Sequence, residues 1–237
     1  LQMVVKPVSV WIEKERLNSK IVDCLTIILR TTGCYWAKKS GCLMCGYNRE
    51  SIDGIGFKEL KEQLESIEIP DTVNIVKIFT SGSFFDEKEI PQEFRHYLYA
   101  KLEDVGIKKL IVETRPEFIR EDVVLEIKDR NFISEVAIGL ETADDYIRNL
   151  FINKGFWFSD FERAAKLLKG KGVRVKAYLL LKPPFLSERE AIEDVFNSAK
   201  KIKNLVDVIS VNLTNVQKGT YVEMLWRNKL YRPPWLW

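Results

Sequence analysis

Three of the four cysteines lie close together in the sequence and have the clearest capacity for chemistry. Cys34, Cys42 and Cys45 fall within twelve residues, and Cys24 lies ten residues before the first of them. Two thiolates separated by two residues can bind one metal ion or cluster, and glycines at positions 33 and 41 provide turns that let Cys34 reach the pair. The spacing predicts a metal centre held by clustered thiolates.

Three kinds of cysteine site compete at this point. A structural zinc site needs four ligands, but the only histidine is His96, far along the chain, and Cys24 is expected at the wrong end of its strand. A disulfide framework is unusual in an intracellular chain with so few cysteines. An iron–sulfur cluster held by three thiolates leaves one iron open for a substrate or cofactor, and this reading fits the residues best.

The elements that must position these cysteines alternate between strands and helices. Apolar runs rich in β-branched residues predict six strands, and each is followed by a polar loop and a helical pattern. Hydroxyl residues with an acid three positions later predict helix starts at Thr142, Ser159 and Ser187. The predicted strands are residues 24–30, 73–79, 108–112, 135–140, 173–181 and 206–213.

Six strand–helix units predict an α/β fold with a parallel sheet, either open and doubly wound or a barrel with six of the usual eight units. In both folds the chemistry lies beyond the carboxyl ends of the strands. The candidate side chains at those ends are Ser81, Gly82, Ser83, Glu113, Arg115, Glu141, Lys182 and Asn212. We expect them to surround one mouth together with the cysteines.

Length and composition set limits on the class of protein. The chain has 237 residues, of which 46% are hydrophobic, and a net charge of +3, which is too mild to indicate a nucleic-acid partner by itself. No apolar run approaches the roughly 20 residues that a membrane span needs, and no secretory signal is visible, so we expect a cytoplasmic protein without a membrane partner. We expect one domain over residues 1–237, with an N-terminal extension over about residues 1–22 and further sequence beyond residue 237.

Local strings carry a more specific resemblance. Three clustered cysteines after the first strand of a strand–helix repeat resemble the radical S-adenosylmethionine (SAM) superfamily. The first gap is seven residues instead of that superfamily's usual three, and a longer first gap resembles the radical SAM domain of the Elongator catalytic subunit. The strings TIILRTTGCYW (26–36), GCLMCGY (41–47), FTSGSF (79–84) and ETRPE (113–117), with the tail 212–237, resemble the archaeosine-biosynthesis branch of the superfamily.

This resemblance implies a partial (β/α)6 TIM barrel of the radical SAM type and two cofactors. Cys34, Cys42 and Cys45 would ligate a [4Fe–4S] cluster whose open iron binds SAM. The SAM contacts would come from the strand ends and from one further residue: Ser81, Gly82, Ser83, Glu113, Arg115, Glu141, Arg148, Lys182 and Asn212. The resemblance assigns no side chain to the hydrogen-abstraction step.

The implied activity is that of a radical SAM lyase acting on tRNA. It would cleave a C–N bond of a lysine-modified 7-deazaguanine and leave the amidine of archaeosine. The implied partners are the tRNA substrate, an electron donor and the enzyme that attaches lysine to the base. Two alternatives remain at this stage: an Elongator-like enzyme that modifies wobble uridine, and a zinc-dependent RNA-binding module.

Some cations and aromatic residues suit an RNA partner. Residues 160–176 carry six cations and two acids, and Lys38, Lys39 and Arg49 lie in or beside the cysteine loop. Such groups bind phosphates, although a solvated helix face explains the first set equally simply. Trp36 and Tyr47 could stack on an unpaired base or cover the metal centre.

Overall fold

The computed structural model describes residues 5–235, and in this part seven strands form one sheet whose spatial order follows the chain. β1 is antiparallel to β2, and β2 to β7 are mutually parallel. The strands are β1 (Ser9–Leu17), β2 (Lys20–Ile28), β3 (Val73–Phe79), β4 (Lys109–Thr114), β5 (Ile133–Glu141), β6 (Arg174–Leu181) and β7 (Val208–Leu213). Six parallel strands confirm the predicted partial (β/α)6 architecture.

A helix follows every parallel strand. The helices are α1 (Tyr35–Lys39), α2 (Phe57–Glu65), α3 (Gln92–Asp104), α4 (Glu121–Lys128), α5 (Phe158–Gly170), α6 (Glu188–Ile202) and α7 (Tyr221–Arg227). α1 lies inside the segment that the sequence predicts as a loop, because five residues are too few for a helical period to be visible. Over residues 5–235, no helix has both the length and the apolar character that crossing a membrane requires.

Residues 9–22 of the predicted N-terminal extension belong to the sheet. These residues form β1 and the start of β2, joined by a turn in which Asn18 has a φ of +55°. β1 was missed because it is an edge strand with several charged residues and lacks a clean apolar alternation. Residues 1–4 of the predicted extension, and residues 236 and 237 of the tail, lie outside the described part.

Of the three predicted helix caps, one is correct, one is displaced and one caps no helix. Ser187 caps α6 as predicted, and its hydroxyl accepts from the Glu190 N–H at 3.3 Å. α5 begins earlier than Ser159, after Trp157, because the Asp160 carboxylate accepts from the Trp157 N–H at 2.8 Å. Thr142 caps no helix. Its hydroxyl is 2.6 Å from the Asp194 carboxylate, to which it donates.

The two faces of the sheet differ in character. Between sheet and helices lies a large continuous apolar core. The concave face holds only a small apolar cluster of Cys24, Ile75, Ile111 and Ala137, with Tyr178 packed against it. Ion pairs lie on the same face, including Lys77 to Glu13 at 2.8 Å and Lys109 to Glu135 at 2.7 Å. Cys24 therefore belongs to the interior of the half-barrel.

Candidate metal and cofactor site

The loop after β2 carries the three clustered cysteines. Cys34 directly precedes α1, and the chain then turns at Gly41, whose φ is +81°. Cys42 and Cys45 follow in one short turn, closed by the Cys45 N–H, which donates to the Cys42 carbonyl at 3.1 Å. All three thiol residues are partly exposed, whereas Cys24 is fully buried. The three clustered cysteines are thus more accessible than Cys24.

The connection between β5 and α5 anchors this cysteine loop. The Leu43 N–H donates to the Ile152 carbonyl at 2.9 Å, and the Asn153 amide donates to the Gly41 carbonyl at 2.6 Å. The Trp36 indole N–H donates to the Asn153 carbonyl at 2.7 Å. Trp36 thus helps to join the cysteine loop to the connection after β5, and its stacking on a base or covering of the metal centre stays a prediction.

The thiols share one electrostatic environment. Burial raises the pKa of Cys42 to about 11, and a Cys45 thiolate raises it further, while Lys154 and Arg115 oppose the rise. Burial also raises the pKa of Cys45, as does a Cys34 thiolate. Thiolate is the form that binds metal, so all three groups need positive charge close by. Two cations and a bound metal centre would supply it.

Among residues 5–235, no group of three or more histidine, cysteine, aspartate or glutamate side chains is arranged to hold a single metal ion. A zinc site requires its ligands to converge on one point. A four-iron cluster is wider than one ion, so its three thiolates stand farther apart while sharing one loop. The three thiols of this loop suit a cluster with one open iron, because a structural zinc site takes four ligands.

The turn after β3 packs directly against the first cysteine. A Cβ built on Gly82 would lie 2.7 Å from the Cys34 Cα and 2.8 Å from the Cys34 Cβ. Real Cβ atoms essentially never approach so closely, so only glycine fits at this position. The 81–83 turn therefore lies beside the backbone and Cβ of Cys34, at the carboxyl end of the neighbouring strand.

Glu89 joins the glycine turn to the cysteine loop. Its buried carboxylate accepts from the Gly82 N–H at 2.9 Å, the Ser83 N–H at 2.6 Å and the Thr31 hydroxyl at 2.7 Å. Burial raises the pKa of this carboxyl, and the hydrogen bonds from Thr31, Ser83 and Gly82 oppose the rise. One side chain thus fixes the relative position of two loops that otherwise belong to different strands.

An irregular end of β5 brings Glu141 into the mouth. The pairing of β5 with β6 shifts register between Gly139 and Glu141, and Glu141 has a φ of +67°. Its carboxylate accepts from the Lys154 ammonium at 2.6 Å. A Cβ on Gly139 would lie 2.9 Å from that ammonium nitrogen, so the glycine makes room for the pair. Lys154 also acts electrostatically on Cys42, which ties the pair to the cysteine loop.

Glu113 lies next to this pair at the end of β4. Burial raises the pKa of Glu113 to about 7, the charges of Glu141 and Glu89 raise it further, and Lys154 opposes them. A carboxyl that titrates near neutrality can donate or accept a hydrogen bond toward a bound ligand. Glu113 and Glu141 are therefore the two acids at the mouth that the sequence also singled out.

Arg115 braces the site through contacts within the chain. Its Nε donates to Glu117 at 2.6 Å, its Nη2 donates to the Lys154 carbonyl at 2.8 Å, and the guanidinium lies 5.6 Å from the centre of the Trp36 ring. Its backbone N–H donates to the Ser83 hydroxyl at 3.1 Å. The side chain thus borders the cysteine loop, as predicted, with most of its donors already engaged.

Ser81 contacts the segment that follows the cysteines. Its hydroxyl accepts from the Ser51 hydroxyl at 3.1 Å and donates to the Tyr47 carbonyl at 3.3 Å. Each residue of the 81–83 turn therefore contacts the cysteine loop, the segment after it, or Arg115, which borders the loop. Together with Glu113, Arg115 and Glu141 they form the part of the predicted set that the fold brings together.

The other three predicted SAM contacts lie apart from this group. Arg148 is fully buried and donates to the Phe156 carbonyl at 3.1 Å and to the Thr142 carbonyl at 2.7 Å, with a further ion pair to Asp145. Burial lowers the pKa of Arg148 to about 10. These contacts hold the connection after β5, so a role for Arg148 in SAM binding stays a prediction.

Lys182 directly follows β6, and Asn212 lies on β7. Lys182 is buried and forms an ion pair with Glu188 at the start of α6. Asn212 is exposed on β7, where its side-chain oxygen is 3.4 Å from the Ser210 hydroxyl. Neither has a hydrogen bond to the cysteine loop or to the glycine turn within the described chain, so their SAM contacts also stay predictions.

The cations of the segment 160–176 all have partners in the chain. Arg163 donates to the Pro116 carbonyl, and the other five lie within 3.9 Å of a carboxylate. Because α5 ends at Gly170 and Lys176 is buried on β6, a solvated helix face accounts only for the cations of α5. Lys38 likewise lies 3.0 Å from Asp53. Tyr47, in contrast, remains 60% exposed beside the last cysteine.

Two residues of the site were missed by the sequence interpretation. Glu89 stands in an acidic stretch that reads as solvated, and nothing local signals that its carboxylate is buried. Lys154 lies between Asn153 and Gly155, both at positive φ. The Asn-Lys-Gly sequence signals a tight turn, and it could have marked Lys154 as a side chain held in place.

Comparisons with known proteins agree with this geometry. Residues 28–197 match the family model described as the radical SAM superfamily. Archaeosine synthase subunit beta of Methanosarcina acetivorans is 44% identical over 243 aligned residues, which cover 98% of this chain and 69% of that protein.

Two solved structures share the fold. A queuine lyase from Clostridium spiroforme, bound to SAM and queuine, covers 92% of this chain and 88% of its own at a TM-score of 0.64 and 20% identity. The Elp3 protein of Methanocaldococcus infernus covers 75% of this chain and 45% of its own at a TM-score of 0.55 and 22% identity. At these identities the likeness is one of architecture, and it confirms the half-barrel.

Proposed function

Because this chain belongs to the radical SAM superfamily, we propose that it is the radical-chemistry subunit of an archaeosine synthase and acts on a lysine-modified 7-deazaguanine base in tRNA. The observation that carries the proposal is the 44% identity, over 98% of the chain, to a protein named archaeosine synthase subunit beta. The reaction would break a C–N bond of the lysine substituent and leave the nitrogen on the base as an amidine. The likeness to Elp3 concerns the fold, so it does not favour the wobble-uridine alternative.

The cofactors are a [4Fe–4S] cluster and SAM. When bound, they supply a carbon-centred radical that removes a hydrogen atom from the substrate. Cys34, Cys42 and Cys45 would hold the cluster, and the absence of a fourth thiolate near them in the described chain leaves one iron open. The protein's own task is to bind, orient and exclude water.

The neighbouring residues suit the binding of an amino acid group such as the methionyl part of SAM. The 81–83 turn lies beside Cys34 and offers hydroxyl and carbonyl oxygens to an ammonium group. Glu113 and Glu141 add carboxyl groups, and Lys154 would receive a carboxylate. Glu89 and Arg115 hold the loops that carry these groups. In this proposal the 81–83 turn, Glu113, Glu141 and Lys154 contact SAM, whereas Glu89 and Arg115 position them.

The remaining partners follow from the proposed reaction. The relative's designation as a subunit beta supports a complex with a second subunit, and that subunit or a separate enzyme would attach lysine to the base. An electron donor must reduce the cluster before each cleavage of SAM. Because the proposed substrate is tRNA, we propose that the reaction takes place in the cytoplasm.

The proposal is tested by anaerobic reconstitution followed by reaction with SAM and tRNA that carries the lysine-modified base. We expect 5′-deoxyadenosine in the reaction and archaeosine in the digested tRNA, measured by nucleoside mass spectrometry. The reduced protein should give the electron paramagnetic resonance signal of a [4Fe–4S] cluster.

Matched cysteine variants serve as controls. Cys42→Ala should lose both the cluster signal and the cleavage of SAM, whereas Cys24→Ala should keep both because Cys24 lies in the interior apolar cluster. Cleavage of SAM by Cys42→Ala, or about one zinc per chain without iron or sulfide, would contradict the assignment. If SAM is cleaved but no archaeosine forms, the cofactor assignment is supported and the proposed substrate is contradicted.

A further inference from the structure

A cavity of about 680 Å³ lies between the start of α6 and the segment after α7. Lys182, which directly follows β6, lines one side of it, and Trp226, Lys229 and Arg232 line the other. Because Lys182 follows a parallel strand, the cavity opens at the same end of the sheet as the cysteine loop. Its lining includes neither the three clustered cysteines nor the 81–83 turn, although α7 contacts the cysteine loop through the Val222 N–H, which donates to the Leu43 carbonyl at 3.1 Å.

The charges in this cavity suit an anion. Lys182 is paired with Glu188, but within residues 5–235 neither Lys229 nor Arg232 forms an ion pair with a carboxylate. The six cations of the basic segment 160–176 all have partners in the chain. Lys229 and Arg232 differ from them in lacking a carboxylate partner. The Arg232 guanidinium lies over the Trp235 ring, 4.7 Å from its centre. Two cations without a carboxylate partner at the rim of a cavity favour a phosphate ligand.

Aromatic rings occupy the same cavity. Trp226 is 49% exposed and Phe185 is 52% exposed, so both rings can be covered by a flat ligand. From Phe185 a row of rings continues along the surface to Phe151, at 5.4 Å between ring centres, and from there to Tyr146, also at 5.4 Å. Phe151 is partly buried, whereas Phe185 and Tyr146 at the two ends of the row are exposed. Exposed rings beside cations are the pattern that binds unpaired bases and the phosphates between them.

The backbone around the cavity is strained. Six residues other than glycine have positive φ in the part of the chain that the structure describes, and three of them line the cavity: Lys182 at +59°, Phe185 at +73° and Lys229 at +60°. Such conformations cost on the order of 1–3 kcal/mol each and cluster at ligand sites. The Tyr231 hydroxyl donates to the Lys182 carbonyl at 2.9 Å and holds one of them in place.

We propose that this cavity binds a nucleotide of the RNA strand that flanks the target base. Lys229 and Arg232 would contact its phosphate, and Trp226 or Phe185 would stack on its base. The inference rests on the proposed function, since it assumes an RNA substrate, and it adds the surface by which that substrate is held. The row Phe185, Phe151, Tyr146 would accept the neighbouring bases.

The test measures binding of a fluorescein-labelled tRNA transcript to the reconstituted protein by fluorescence anisotropy at several salt concentrations. The variant Lys229→Glu/Arg232→Glu should bind at least tenfold more weakly, and its salt dependence should fall by about two phosphate contacts. The control Lys20→Glu/Lys108→Glu makes the same change in charge at the opposite ends of the strands and should bind within about twofold of the parent protein. Equal weakening by both pairs would overturn the proposal.

A second measurement does not depend on charge. Photocrosslinking with tRNA that contains 4-thiouridine should label peptides covering residues 182–188 and 221–235, and Trp226→Ala should reduce that labelling several-fold. Trp226 is half exposed, so its removal leaves the core intact. Crosslinks confined to other surfaces would overturn the proposal.

The two proposals fail separately. A protein that binds tRNA through this cavity but forms no archaeosine rejects the proposed reaction and keeps the RNA site. A protein that forms archaeosine with undiminished tRNA affinity in Lys229→Glu/Arg232→Glu keeps the reaction and rejects the RNA site.

Discussion

Gly82 lies so close to Cys34 that a Cβ at position 82 would stand 2.7 Å from the Cys34 Cα. The contact joins the end of β3 to the loop after β2, and it involves backbone, which cannot move aside as a flexible side chain can. The glycine turn and the first cysteine are therefore one structural unit.

Replacing this glycine should damage cluster assembly. Gly82→Ala forces the turn and Cys34 apart, at a cost on the order of 1–3 kcal/mol, and we expect less than half of the parent iron and sulfide per chain after reconstitution. Gly170→Ala is the matched control, because no atom lies within 4 Å of the added methyl group there. Equal iron content in the two variants would show that the close contact does not constrain the cluster site.

Glu89→Gln should loosen the same two loops. A glutamine offers one acceptor oxygen where the carboxylate uses two, so its amide group would face a donor from Gly82, Ser83 or Thr31. We expect a loss of about 1–3 kcal/mol in the free energy of unfolding in urea and faster loss of iron to a chelator. Glu68→Gln, at an exposed position, should change neither quantity.

Glu113 should make stability depend on pH near neutrality. Its folded pKa, raised to about 7 mainly by burial, exceeds its unfolded value of 4.5, so the folded state binds the proton more tightly. The resulting stabilisation is complete below about pH 4.5 and is lost as pH rises through 7. Relative to Glu113→Gln, the parent apoprotein should therefore lose on the order of 2 kcal/mol of unfolding free energy between pH 5 and pH 8. Parallel pH profiles for the two proteins would refute a raised pKa.

The Lys154–Glu141 pair should show strong coupling in a double-mutant cycle. Both side chains are largely buried, so Lys154→Met or Glu141→Gln alone leaves a partner charge poorly solvated, at a cost of about 3 kcal/mol. The double variant should recover about 1–3 kcal/mol of the summed losses.

The exposed pair Lys58–Glu62, whose charged atoms are 4.0 Å apart, provides the comparison for that cycle. Its coupling should stay below about 0.5 kcal/mol. Coupling energies of equal size in the two pairs would mean that the Lys154–Glu141 pair is solvated despite its burial.

Much of the architecture could be predicted from the sequence because strands and their turns are local patterns. β3 was placed at its observed bounds, the other parallel strands were found with small errors at their ends, and Ser187 was identified as a cap. β1 was not predicted, because an edge strand buries little on either face and so shows no clear apolar period.

The sequence by itself determined which chemistry is available: three clustered thiols without a fourth ligand nearby, set after the first parallel strand of a repeated unit. The tertiary structure decided which polar residues reach them. Glu89 and Lys154 are distant in sequence from the cysteines. Glu89 holds the cysteine loop through the Thr31 hydroxyl, and Lys154 acts electrostatically on Cys42. Arg148 is buried instead, where it donates to the Thr142 carbonyl in the connection after β5. Side chains at strand ends are local features, but their meeting depends on register, bulges and loop paths, which arise only when the whole sheet curls.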